Sequence, residues 1–279
     1  MSSQFQAVIL AAGRGSRLGE ATVAWPKALL PIGPRSSIDP TETSFLRRQC
    51  ELLRAAGVGE IIVVVGYQRD KILDALPGWV LDLRVVVNQT PEIQASGSLH
   101  SFQLAARSPF GVLDGVKHRR VLELLLAAPE QSSLLVCTEY TAGSEEVLVF
   151  GSMNEPRFIA KGLSEELCAG ALCLGEAVGI VKLAPADHTL ARRTVDWLVG
   201  DPDAPEGSLR RRGFGPARLL SEHEELTQRL MCCGRMSVVP FGPELGFMEV
   251  DTPEEYRICT QELYPRLVRN ESTIWSVWR

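Results

Sequence analysis

Short apolar runs alternate with amphipathic stretches along most of the chain. Residues 8–10, 61–65, 83–87, 111–113, 134–136 and 237–240 are short runs built around β-branched or large aliphatic side chains. Apolar runs of that length predict buried strands. Between them, residues 45–56 place Phe45, Leu46, Leu52, Leu53 and Ala56 on one helical face with Arg47, Arg48 and Glu51 outside, and Gly57 ends the helix. Further helices are expected over 70–75, 99–106, 120–127, 187–199 (with Leu190, Val195 and Trp197 turned inward), 218–231 and 254–268. Residues 145–149 and 156–162 read as a hairpin turning at Met153, Asn154 and Glu155, residues 34–43 as a Pro-bearing link, and 200–215 as a charged loop. Strands alternating with helices imply parallel pairing in a layered α/β sheet, with the ligand beyond the carboxyl ends of the strands. No stretch repeats, so residues 1–279 are expected to form one domain.

The first apolar run ends in Ala11-Ala12-Gly13-Arg14-Gly15-Ser16-Arg17. A strand feeding a Gly-rich turn exposes backbone N–H groups that bind phosphate. Arg17 adds one cation, and Lys27, stiffened by Pro26, adds another ten positions on. Two phosphate-loop patterns fail: no Gly-Lys-Ser/Thr occurs, and the third glycine of a dinucleotide loop is replaced by Leu18.

Leu10, Ala11, Ala12, Gly13, Gly15, Ser16, Arg17 and Leu18, followed by Pro26-Lys27, instead resemble the signature of the nucleotidyltransferases that activate sugar phosphates and phosphocholine. The resemblance runs from Val8 to Tyr256 and implies a Rossmann-like three-layer α/β nucleotidyltransferase fold, with a mostly parallel mixed sheet and a hairpin lid over the acceptor. It makes Leu10 to Gly13, Gly15 and Ser16 nucleotide-binding and Arg17, Lys27 and Lys161 the cations of catalysis, Lys161 on the acceptor phosphate. Asn88 and the turn containing Ser96, Gly97 and Ser98 would lie against the base; read without the resemblance, Ser98 caps the helix after it. Phe247-Met248-Glu249-Val250-Asp251-Thr252 matches a segment that ends the family pattern, with Glu249 and Asp251 on one face of an expected strand holding Mg²⁺. The family's Asp-Gly-Asp is Asp114-Gly115-Val116 here: either Asp114 takes the metal position or a ligand is lost.

The implied reaction is attack of a phosphate or phosphonate oxygen on the α-phosphorus of a nucleoside triphosphate, with release of pyrophosphate. An ionised phosphate oxygen is already a nucleophile, which agrees with only four histidines and no triad spacing. The short length, Glu145-Glu146 and Gly175-Glu176-Ala177-Val178-Gly179-Ile180 look most like cytidylyltransferases for phosphocholine and 2-aminoethylphosphonate. Tyr140, Glu146 and Glu176 could receive a cationic acceptor and Gly179 permit its close approach. A sugar-1-phosphate nucleotidyltransferase is the alternative, and a nucleotide-binding regulatory protein without turnover the second, because of Val116.

Composition removes other classes. A net charge of −5 leaves no basic surplus for nucleic acid. No apolar stretch reaches the length of a membrane helix. The first residues, Met-Ser-Ser-Gln-Phe-Gln, run straight into the first strand, and seven cysteines without Cys-x-x-Cys suit a reducing compartment. Cytoplasmic action on small-molecule substrates is therefore expected, with a homodimer left open.

Overall fold

The computed structural model describes residues 5–89, 97–105, 112–113, 116–128, 131–140, 146–201, 203–208 and 222–277, with backbone alone for 112–113, 116–117 and 272–277. In chain order the strands are β1 (Gln6–Ala11), β2 (Pro31–Pro34), β3 (Glu42–Ser44), β4 (Glu60–Val65), β5 (Arg84–Val87), β6 (Val112–Leu113), β7 (Val116–Lys117), β8 (Ser132–Cys137), β9 (Val147–Gly151), β10 (Pro156–Lys161), β11 (Cys173–Lys182), β12 (Met236–Phe241) and β13 (Phe247–Met248). The helices are α1 (Ala21–Ala24), α2 (Phe45–Ala55), α3 (Arg69–Ala75), α4 (Ser98–Ala105), α5 (Arg119–Ala127), α6 (His188–Val199), α7 (His223–Cys232), α8 (Pro253–Ile258) and α9 (Tyr264–Val277).

Nine of the strands form one mixed sheet among the described residues. Its parallel half runs β6-β1-β4-β5, with Val8 opposite Val112 and Ile62, and β12 lies parallel to β8 beyond it. The long strand β11 runs antiparallel to all three of its neighbours: β9 flanks its first half, β6 its second, and β8 its other edge. The sheet therefore forks at β11, and the hairpin β9–β10 leaves from the fork. The run Ile61–Val65 shows why the parallel half is apolar throughout. Ile61, Val63 and Val65 face one cluster with α2 and α5, while Ile62 and Val64 face a second with α4. Helices on both faces make three layers, so Ile61 to Val65 are withdrawn from water on either side of the sheet.

Several boundaries and burials differ from the sequence reading. Residues 34–43 were expected as a link, but Pro31–Pro34 and Glu42–Ser44 form a small antiparallel pair of their own. The helix expected over 254–268 breaks into α8, five residues in π-helical geometry (Cys259–Leu263), and α9. Arg48 was placed outside yet is buried at 6% exposure. Its guanidinium pairs with Glu271 at 2.6 Å and lies 5.1 Å from the centre of the Tyr264 ring, tying α2 to the C-terminal helix. Val195 turns inward as expected, but Trp197 is 55% exposed and Leu198 takes the inward position beside it. Of the helix expected from 218 to 231, the described part is α7, while Arg218 lies outside the described residues, as do Gly111 and Glu145. No helix of the described residues is long and apolar enough to cross a membrane.

Candidate functional site

The carboxyl end of β1 opens onto a cleft of about 480 Å³. Leu10, Ala11, Ala12 and Gly13 leave the strand along its floor, and Gly15, Ser16 and Arg17 follow as a tight turn. Gly15 has φ +65°, and a Cβ there would stand 3.0 Å from Cβ of Lys27, so the loop and the lysine pack without a side chain between them. Buried Thr22, at the start of α1, holds the turn from behind: its hydroxyl lies 3.1 Å from Gly15 O and 3.2 Å from Gly19 O. The Tyr67 amide donates to Ala12 O at 2.9 Å, and the Arg14 guanidinium stacks over the Tyr67 ring at 5.6 Å. Gly15→Ala should therefore destabilise the fold by about 1–2 kcal/mol, from its left-handed backbone. It should also raise the nucleotide KM by moving Lys27; urea unfolding and initial rates measure the two effects separately.

The two ends of the chain meet in this cleft. The Lys27 ammonium lies 2.9 Å from Oδ1 of Asp251, and the Arg17 guanidinium 2.5 Å from Oδ2. Asp251 and Glu249 both line the cleft, but not from a strand: β13 stops at Met248, and residues 249–251 run free of the ladder into α8. The expected strand face for that pair is thus corrected. Asp251 is set in place by the start of α8. Thr252 caps that helix by accepting from the Glu255 amide at 3.2 Å, and Glu255 returns a carboxylate oxygen to the amides of Asp251 (2.7 Å) and Thr252 (2.8 Å). Thr252→Ala should lower stability by about 1 kcal/mol and depress turnover mildly, whereas Thr252→Ser should retain both; thermal melts and rates decide this.

Lys161, at the end of β10, and Val147, Ala177 and Gly179 form the wall supplied by the forked part of the sheet. The lining also includes Gly97 just before α4, Ser98 and Ser101 on α4, and Glu222, His223 and Glu224 at the start of α7. The cap expected of Ser98 is rearranged. The Ser98 amide donates to Glu222 Oε2 at 2.9 Å, while the Ser98 hydroxyl accepts from the His223 amide at 2.9 Å. Two helix starts thus cap each other across the cleft wall, a tertiary arrangement that satisfies orphan amides of both.

Other expected residues lie elsewhere. Asn88 is 2% exposed and sits directly behind the cleft lining; its amide donates to Val65 O at 2.8 Å and its side chain to Oγ of the lining residue Ser101 at 3.1 Å, joining β4, β5 and α4. Glu176 sits beside Leu148 and Cys137 in the ladder, next to the cleft-lining Ala177 but on the other face of β11. Burial, and then the neighbouring charge of Glu146, push its carboxyl pKa up. Tyr140 is 37% exposed, its hydroxyl pKa raised chiefly by a hydrogen bond with Cys173. Tyr140, Glu146 and Glu176 are thus all absent from the lining of this cleft. Ser96 and Asp114 lie outside the described residues. Thr22, Gln49, Ser101 and the 222–224 segment join the site without any motif that announces them.

The sequence profile of the MobA-like NTP transferase domain matches residues 7–160, more than half of the chain. The chain belongs to that family. It resembles enzymes of two kinds. It is 33% identical over 134 residues to CMP-5'-(3-aminopropyl)phosphonate synthase of Streptomyces rubellomurinus, a match covering 46% of this chain and 20% of that protein. It is 32% identical over 115 residues to mannose-1-phosphate guanyltransferase of Aspergillus oryzae, covering 39% of this chain and 29% of that protein. The chain thus spans less than a third of the length of these curated relatives. The CTP:phosphocholine cytidylyltransferase structure from Streptococcus pneumoniae superposes with a TM-score of 0.60 at 18% identity, over 91% of this chain and 96% of that one. That likeness shows the fold, a Rossmann-like nucleotidyltransferase architecture over most of the chain.

Proposed function

We propose that this chain is a cytidylyltransferase that joins CTP to a small phosphate or phosphonate acceptor carrying a cationic group, such as an aminoalkylphosphonate or phosphocholine, and releases pyrophosphate. One observation carries the reading: Lys27 and Arg17 converge on Asp251 at 2.9 and 2.5 Å at the mouth of β1, in one cleft with Lys161. Residues 17, 161 and 251 all contribute to that cleft, which supports taking residues 1–279 as one working domain. The seven cysteines are free thiols, in keeping with a reducing, cytoplasmic setting.

In this reading the amides of Gly13, Gly15 and Ser16 and the Arg17 guanidinium hold the β- and γ-phosphates, and Gly97 and Ser98 approach the base. Lys161 holds the acceptor anion. Its oxygen forms a bond to the α-phosphorus while the bond from that phosphorus to the bridging oxygen of pyrophosphate breaks, and the electron pair leaves with pyrophosphate. No protein base is required, because the attacking oxygen is already ionised. Lys27 stabilises the charge that builds on the α-phosphoryl oxygens; catalysis is positioning and electrostatics. Glu249 and Asp251 supply hard carboxylate oxygens in the cleft, and among the described residues no group of three or more His, Cys, Asp or Glu could hold a metal. That donor set fits Mg²⁺, which is commonly held by one or two carboxylates together with phosphate oxygens. When bound, the ion neutralises phosphate charge as a Lewis acid.

The supporting likeness to a CMP-aminopropylphosphonate synthase favours a cationic acceptor, and the guanyltransferase likeness keeps a sugar-1-phosphate as the second reading. Pyrophosphate release with four nucleoside triphosphates against 3-aminopropylphosphonate, phosphocholine, a polyol phosphate and hexose-1-phosphates tests both. CTP with an amine-bearing acceptor is the expected pair. Turnover confined to hexose-1-phosphates overturns the acceptor assignment, and nucleotide binding with no release across the panel overturns the enzyme itself.

A further inference from the structure

We infer that Glu224, at the first turn of α7, is the carboxylate that receives the cationic end of the acceptor and so sets its selectivity, an assignment that rests on the reading above. The residues first suited to that task from sequence, Glu146 and Glu176, are absent from the cleft lining, with Glu176 on the far face of β11. Glu224 lines the cleft that also contains Lys161. One oxygen, Oε2, is withdrawn from water and accepts no hydrogen bond, and the cationic candidate beside it is His223, whose Nδ1 stands 3.4 Å away. The side chain as a whole keeps 21% of its surface open while that oxygen lacks a donor, so an ammonium brought to the open side of the carboxylate would supply the missing charge partner.

The placement also matches the shape of a zwitterion. Helix α7 lies along the edge of β10 through Gln228, whose side chain accepts from the Ile159 amide at 2.9 Å and donates to Arg157 O at 2.8 Å. Glu224 is one helical turn before Gln228, and Lys161 is two residues beyond Ile159 in the strand, so both continue faces that are already docked. The cleft thus carries a cation from the hairpin and an anion from the helix, arranged for an acceptor with an anionic head and a cationic tail. Glu222 is not available for the same task, because it caps α4 through the Ser98 amide.

The test compares 3-aminopropylphosphonate with propylphosphonate, which lacks the amine, as acceptors for the full chain. Wild type should favour the amine-bearing acceptor in kcat/KM. Glu224→Gln should lose about 10- to 100-fold of that preference through acceptor KM, leave the CTP KM unchanged, and leave propylphosphonate turnover unchanged. Glu224→Asp should recover part of the preference. Glu225→Gln removes a charge from the same first turn, outside the cleft lining, and should keep the full preference, which separates recognition from helix-dipole support. If wild type prefers the amine and Glu224→Gln keeps that preference, the assignment of Glu224 falls alone. If wild type shows no preference between the two acceptors, the cationic-acceptor reading falls and Glu224 with it. Equal losses on both acceptors in Glu224→Gln would assign it a structural role and overturn the inference.

Discussion

Lys27→Met is expected to lower turnover about 10²- to 10³-fold while the protein stays folded. The lysine sits where the glycine-rich loop after β1 and the C-terminal segment meet, 2.9 Å from Asp251 and packed against the open side of Gly15. Its side chain is 23% exposed and that of Asp251 25%, so the ion pair is partly solvated, and its loss should cost less than about 1 kcal/mol of folding free energy. Methionine keeps much of the aliphatic stem that packs on the loop and removes only the charge. In the proposed transition state that charge would face oxygens gathering negative charge around phosphorus, where a preorganised donor contributes far more than it does in the resting protein. Steady-state pyrophosphate release and an equilibrium melt therefore separate the two contributions. A parallel fall in both melting midpoint and rate would mean that Lys27 is a structural brace. A rate within about threefold of wild type would remove it from the chemistry.

The residues that could be read from the sequence are those whose work is local. The turn after β1 is specified by nearby glycines, small residues and cations, and its parts, Gly13, Gly15, Ser16 and Arg17, lie in the cleft as a contiguous stretch. The runs at β1 and β4 announced themselves because strands covered on both faces need apolar side chains at every position. The meeting of Lys27 with Asp251, 224 residues apart, followed only from the resemblance, since no local rule couples those positions.

What escaped the sequence depends on tertiary geometry. Adjacent residues on β11 point to opposite faces, so Ala177 can line the cleft while Glu176 does not, and proximity along the chain misleads by one register step. Ser98 looked like an ordinary helix cap, but its partner amide belongs to His223, 125 residues away. Strand β2 begins and ends in proline and β3 is three polar residues, so nothing in their pattern marks a ladder. Arg48 lies among polar neighbours in α2, yet its burial follows from Glu271 and the Tyr264 ring, both supplied by the far end of the chain. Such a burial is tolerable only because the charge is paired.

Asp251→Asn is expected to separate nucleotide binding from turnover. In the wild-type arrangement Asp251 holds Arg17 and Lys27, the same cations that the proposed mechanism assigns to phosphate, so carboxylate and triphosphate compete for them. Asparagine is nearly isosteric and uncharged. It removes that competition, and CTP affinity should be unchanged or tighter by up to several-fold, since an opposing charge near the phosphates is gone. Turnover should nonetheless fall about 10²- to 10³-fold, and the Mg²⁺ concentration for half-maximal rate should rise, because only Glu249 would remain of the carboxylate pair. Calorimetric CTP titration and a Mg²⁺ dependence of the rate measure the two sides. Tighter nucleotide with slower turnover is the signature of a carboxylate that serves the transition state at the expense of the ground state. Loss of CTP affinity in step with the rate would instead mean that Asp251 acts only to hold Arg17 and Lys27 in place, and the assignment of a metal to this carboxylate would fail.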